Sequence, residues 1–377
     1  MKNMIYLDYS ATTQPDEKVL HHFNELVKHY FANPNASYLL GSESKGIIEK
    51  ATLNISEFLG VDPDEIIFTS GASEANNLAI KGITLNSDRK QIITTGLEHS
   101  SIFGPVGYLQ RLGYKIDFVD LTKDGTVDIM HLKTLLSENT LLVSIGAVDS
   151  EIGIRQPVEE IGFMLKEYPD VYFHSDVTQC LGKAKIDLTH IDLASFSGHK
   201  IYCFKGIGGL VKKKKLKLSP LIHGGKSTTV FRSGTPTTEL IGSLSESFNL
   251  FKKTLEEDYS YVEKLNRHLQ VALAKYPTVF INSTVHSIPH ILNVSIMGAD
   301  ANDTQKYFER HDVFVSTKAA CASNEELSRS ILTLTKDQER ASSAIRISLS
   351  HKTSEEEVSR FIDLFNDYME EMKHETS

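Results

Sequence analysis

The sequence predicts an α/β fold: a large domain with a mainly parallel sheet flanked by helices, plus a smaller α+β domain. Three observations point there. Short apolar, β-branched runs alternate with longer amphipathic stretches over the first two-thirds of the chain, the pattern of strand–helix–strand units. The 377 residues exceed what one small core requires. Beyond about residue 244 the alternation gives way to one long, charged helical pattern, a natural connector to a second unit.

Strands are expected at 65–69, 91–95, 115–119, 141–146, 171–175, 192–196 and 208–211, with helices at 73–82, 102–112, 129–136 and 157–168. The long helix spans 244–276, and 288–296 and 344–349 read as further strands before a terminal helix at 355–372. Residues 14–260 are expected to form the large domain, and 1–13 with 261–377 the smaller one. Sheets of this kind bind ligands where their strands end, so residues just past each strand carry the most information.

Composition narrows the partners. The chain is 40% hydrophobic and 24% charged, with a formal net charge of −9, which argues against nucleic acid or an acidic membrane as a partner. The run Lys212-Lys213-Lys214-Lys215 reads as a solvated turn after a strand. Three cysteines, Cys180, Cys203 and Cys321, make no disulfide framework, so a reducing compartment is expected. No signal-type apolar segment opens the sequence, and no stretch suits a bilayer span; a cytoplasmic protein is the expectation.

Three strand-end motifs stand out. Phe68-Thr69-Ser70-Gly71-Ala72-Ser73-Glu74 ends a strand and starts a helix, whose open amides and hydroxyls suit a phosphate. His174-Ser175-Asp176-Val177-Thr178-Gln179 places a carboxylate at a strand end, where it can keep a ring nitrogen protonated. Ser195-Phe196-Ser197-Gly198-His199-Lys200 places an amine beyond another strand, ready for a Schiff base. Each alone reads as an ordinary cap, turn carboxylate or surface lysine. Together, in this order, they form a three-point cofactor site.

These residues resemble a family. Ser-Gly-His-Lys at 197–200, with Asp176-x-x-Gln179 before it and Arg232-Ser233-Gly234-Thr235 after it, looks like the class V branch of fold-type I pyridoxal-phosphate enzymes. More narrowly, Tyr6-Leu7-Asp8-Tyr9-Ser10-Ala11-Thr12-Thr13, Glu98-His99, Glu151-Ile152-Gly153 and Ser348-Leu349 are similar to the bacterial cysteine desulfurases. The likeness runs to about residue 350.

The resemblance implies pyridoxal 5'-phosphate as cofactor, carried by Lys200. Asp176 would pair with the ring nitrogen, Gln179 would bond the ring hydroxyl and His99 would stack on the ring. Ala72, Ser73, Ser197 and His199 would hold the phosphate, with Thr235 reaching across from the second subunit of a homodimer. Arg346 would clamp the carboxylate of substrate L-cysteine, near Ser150, and Cys321 would take its sulfur as a persulfide for delivery to an acceptor protein. Cys180 and Cys203 would be structural.

The chain departs from the family pattern at Lys318-Ala319 before Ala320-Cys321, at Ser150 for the common Asn, at Tyr38 for a His, and at Cys203-Phe204 for Gly-Pro. Those departures leave open another class V activity, such as an aminotransferase, selenocysteine lyase or β-lyase. They also leave open a weakened sulfur-carrier or scaffold subunit.

Overall fold

The computed structural model describes residues 4–317 and 327–375. In chain order the strands are β1 (Ile5–Tyr6), β2 (Ile66–Thr69), β3 (Gln91–Thr94), β4 (Lys115–Phe118), β5 (Thr140–Ser144) and β6 (Tyr172–Asp176). They continue as β7 (Leu193–Ser197), β8 (Gly208–Lys212), β9 (Val279–Ile281), β10 (Ile291–Ile296), β11 (Val313–Phe314) and β12 (Ala344–Ser348). The helices begin with α1 (Glu17–His29), α2 (Leu39–Leu59), α3 (Ala72–Thr84), α4 (Ser100–Arg111), α5 (Ile129–Leu135) and α6 (Val158–Leu165). There follow α7 (Thr238–Leu273), α8 (Ala301–Arg310), α9 (Arg329–Thr335), α10 (Gln338–Ser342) and α11 (Glu355–Glu375).

The expected strands from 65 to 211 all join one seven-stranded sheet, in the order β2-β8-β7-β6-β5-β3-β4. β8 runs antiparallel to both neighbours, and the other pairs are parallel. The inner strands are buried on both faces, which is why their sequences are rich in apolar residues without a strict polar alternation. Side chains alternate between two cores. Ile93, Val143 and Ala194 pack with Ile48, Ile161 and Phe248 on the α2, α6 and α7 side. Ile92, Leu142 and Leu193 pack with Leu78, Ala79 and Leu109 on the α3 and α4 side. The edge strand β4 is the exposed one, and its Lys115 blunts that edge.

A separate core lies on the three-stranded antiparallel sheet β12-β10-β9 and the parallel pair β1-β11. Ile5 and Leu7 of the N-terminal segment belong to it, with Phe308, Phe361 and Phe365. α7 serves both cores: Ile241, Leu244 and Phe248 face the first, and Val262, Leu265 and Leu269 the second.

Three local expectations are corrected. α7 begins six residues before 244, because Gly242, a weak helix former, is where α1 packs closest; a β-carbon there would collide with Leu26. β10 starts at Ile291 rather than 288, since Pro289 lacks a ladder donor and 288–291 close a turn. Lys212 is not solvated: it is 4% exposed, and its Nζ donates to the carbonyls of Lys213 (3.1 Å) and Leu216 (2.9 Å). Lys214 and Lys215 do face solvent. Among the described residues, no helix is long and apolar enough to cross a membrane.

Candidate active site

The parallel strands point their carboxyl ends at one edge of the large sheet, and a cavity of about 410 Å³ opens there. β2 ends at Thr69, and Ser70-Gly71 turns the chain into α3. Gly71 has a φ of 150°, a conformation that favours glycine. It also admits close neighbours: the Ser197 Oγ lies 3.3 Å from where its β-carbon would be, and a β-carbon on Gly208 would lie 2.7 Å from the Gly71 Cα. With glycine as N-cap, no side chain covers the first amides of α3, at Ala72 and Ser73. Ser197 and His199 line the same end of the cavity. His199 Nδ1 lies 3.1 Å from Thr12 Oγ1, and burial with the charge of Lys200 pushes its pKa down to about 4, so the ring is neutral at pH 7. This end suits an anion.

The middle of the cavity is set by β6 and β7. Asp176 closes β6; its Oδ2 accepts from Asn76 Nδ2 at 2.7 Å and its Oδ1 from the Thr178 amide at 2.9 Å. Gln179 Nε2 donates to the Ser10 carbonyl at 2.9 Å. Lys200 ends the single 3₁₀ turn after β7, and its Nζ donates to the Ser10 carbonyl and to the Ala11 carbonyl at 2.7 Å. His99 caps α4: its Nδ1 accepts the Ser101 amide at 3.1 Å, so in the neutral ring the proton sits on Nε2. The Ser101 hydroxyl, 2.8 Å from Nδ1, also accepts from Asn76 Nδ2, tying His99 to Asp176 through one serine and one asparagine.

The far wall comes from the smaller sheet. Arg346 on β12 is 1% exposed; its Nη2 pairs with Asp8 Oδ1 at 2.6 Å and its Nη1 donates to the Ser150 carbonyl at 2.8 Å. Thus Lys200, Asp176, Gln179, His99, Ala72, Ser73, Ser197, His199, Ser150 and Arg346 all line one cavity. Thr235 does not: it is exposed and outside the cavity of its own chain. Cys321 lies outside the described residues.

Other groups in and behind the cavity wall add to this arrangement. Glu98 accepts from Thr95 Oγ1 at 2.8 Å and from the Gly146 amide at 3.0 Å, yet burial pushes its carboxyl up to about 8, with Asp176 and Asp149 repelling it further. Asp149 is pushed up to about 6 by burial and by Glu151. Ser10 Oγ, Thr178 Oγ1, Asn76 Oδ1 and Arg346 Nε are buried without a hydrogen-bond partner among the described residues. Buried polar atoms left open around one cavity are the mark of a polar ligand's site. An anion-binding end, an amine and a strand-end carboxylate fit a phosphorylated pyridine aldehyde, and pyridoxal phosphate is such a molecule. Asp149 and Asn76 carried no signal in the sequence, because their partners Ser330 and Asp176 are distant in the chain.

The sequence pattern of the family described as Aminotransferase class-V matches residues 5–361. The cysteine desulfurase IscS of Buchnera aphidicola subsp. Schizaphis graminum is 38% identical, the match covering 95% of this chain and 91% of the relative. A solved NifS-like protein superposes with a TM-score of 0.92 at 31% identity, over 97% of this chain and 99% of its own. A structure described as SspA in complex with cysteine superposes with a TM-score of 0.82 at 29% identity, over 93% and 100% of the two chains.

Proposed function

The chain belongs to the class V aminotransferase family, whose members use pyridoxal phosphate, and we propose that it is a cysteine desulfurase that converts L-cysteine to L-alanine and holds the sulfur on Cys321. One observation carries the site assignment: Lys200, Asp176 and the open start of α3, distant in sequence, meet around a single cavity with Arg346 on its far wall. The relatives named cysteine desulfurase support the substrate, as does the neighbour solved with cysteine.

When bound, pyridoxal phosphate supplies an electron-poor ring that takes up the electron pair left as the substrate Cα loses its proton. The chain's residues make that possible. The α3 amides, Ser73, Ser197 and neutral His199 would hold the phosphate. Asp176, fixed by Asn76 and the Thr178 amide, would pair with the ring nitrogen and keep it protonated. His99 would lie against the ring, and Lys200 would hold the cofactor and move protons at its Nζ. Arg346 receives the substrate carboxylate beside Ser150.

The Cys321 thiolate then attacks the substrate sulfur. An S–S bond forms as the Cβ–S bond breaks; the bonding pair stays with carbon, which takes a proton and becomes the methyl group of alanine. Cys180 and Cys203 are poor candidates for this step, because burial pushes both thiols up to about 11. In this reading 14–260 holds the cofactor, and 1–13 with 261–377 brings Arg346 and Cys321, a division supported by the separate cores. A homodimer with Thr235 facing the other subunit, an acceptor protein for the sulfur and a reducing cytoplasm belong to the same proposal.

The test is turnover of cysteine by the protein loaded with pyridoxal phosphate, following alanine and the mass of the Cys321 peptide. Equal amounts of alanine and sulfur bound at Cys321 are expected in the first turnover. Undiminished sulfide release from Cys321→Ser would remove that residue from the chemistry, and absence of alanine from the wild type would remove the reaction.

A further inference from the structure

Gln179 lines the cavity with both ends of its amide held from behind. Its Nε2 donates to the Ser10 carbonyl at 2.9 Å, and its Oε1 accepts from Lys183 Nζ at 2.5 Å. Lys183 is 4% exposed, four residues after Gln179. Burial, and then the cations Lys200 and Arg346, push its pKa down to about 7. Charged or neutral, an amine has an N–H to give to Oε1, while the Ser10 carbonyl can only accept. The two partners therefore permit one orientation of the amide. The N–H left over is what Gln179 offers the cavity.

This placement of a lysine is costly. Its charge is desolvated and repelled, and a methionine would fill the same space without either penalty. The hydrogen bond to Gln179 is the feature a methionine could not supply. The Ser10 carbonyl also accepts from Lys200, so a hydrogen-bonded chain runs from Lys183 through Gln179 and Ser10 to the amine proposed to hold the cofactor.

We propose that Lys183 is a positioning residue that acts through Gln179, making that side chain a hydrogen-bond donor to the ring oxygen of bound pyridoxal phosphate. The inference rests on the cofactor reading above. A ring oxygen that receives this bond is less basic, and so holds the proton it shares with the Lys200 nitrogen less tightly.

The experiment titrates with pH the visible absorption of the cofactor-loaded protein, in the wild type, Lys183→Met, Lys183→Gln, Gln179→Ala and Lys183→Met with Gln179→Ala. In Lys183→Met the midpoint rises by about one unit, and the dissociation constant of pyridoxal phosphate from the apoprotein rises about tenfold. Lys183→Gln keeps a neutral N–H donor and moves the midpoint by less than about half as much. With Gln179 already replaced by Ala, removing Lys183 moves it no further.

An unmoved midpoint in Lys183→Met overturns the proposal. So does a full shift that persists in the Gln179→Ala background, which would mark a through-space effect of charge. Lys183→Gln decides the matter if the Met variant does not fold: a shift as large as loss of the charge would produce overturns the donor role. A wild type without a visible band, or a band that survives Lys200→Ala, would instead remove the cofactor reading beneath it.

Discussion

The two ends of the cavity are held by different kinds of order. At the proposed cofactor end, each group stands within a few residues of a strand end, and several of its partners are local. Thr178 supplies its amide to Asp176 from two residues away, and Ser101 supplies its amide to His99 over the same separation. At the end proposed for the substrate carboxylate, Arg346 comes from the other sheet; Asp8 stands 338 residues from it in sequence and Ser150 stands 196. The first end is assembled by strand-to-helix turns of one sheet. The second exists only after two cores have docked. Losses at the first should remove chemistry, and losses at the second should weaken binding and disturb the fit between the two halves.

Three measurements sharpen that contrast. The largest effect is expected for Lys200→Ala. Cofactor absorbance should be lost on dialysis, and kcat should fall by about four orders of magnitude, the scale of losing a covalent catalyst. Retained absorbance and turnover would break the assignment of the cofactor end. At the other end, Arg346→Lys keeps the charge but loses the planar fork, and the KM for cysteine should rise about 10- to 100-fold with a smaller change in kcat. Equal losses in both substitutions would erase the distinction between the ends.

The smallest effect lies between them, at Glu98. Its folded pKa is raised to about 8 from 4.5. Between those values the folded state binds the proton that the unfolded state has released, so Glu98 weakens the fold progressively as pH rises from about 4.5 to 8. Glu98→Gln removes that dependence. Its Tm should match the wild type near pH 4.5 and exceed it increasingly towards pH 8. A gap that does not change with pH would mean that Glu98 is ionised in the folded protein.

Much of the cofactor end was legible before any coordinates, for a physical reason. A strand buried on both faces is mostly apolar, so the charged residues at its end announce the sheet edge, and Asp176, His199 and Lys200 stand there. The start of α3 was legible in the same way, because Ser70 and Gly71 are turn residues and Gly71 is its N-cap. Boundaries failed where tertiary packing outweighed local preference, as at Gly242 in α7 and Lys212 in β8. Thr235 shows the converse: its proposed role lies across a subunit boundary, and within its own chain it is merely exposed.

Asp8, Asn76, Glu98 and Lys183 mark the limit of the sequence. By itself it determined the order of strands and helices and the strand ends at which Asp176 and Lys200 stand, because apolar period and turn chemistry act over a few residues. Only the tertiary structure decided that Asp8 pairs with Arg346, that Asn76 holds Asp176, and that burial raises the Glu98 carboxyl. Pairing and desolvation depend on what the fold brings together from distant parts of the chain, and on how much water it leaves there.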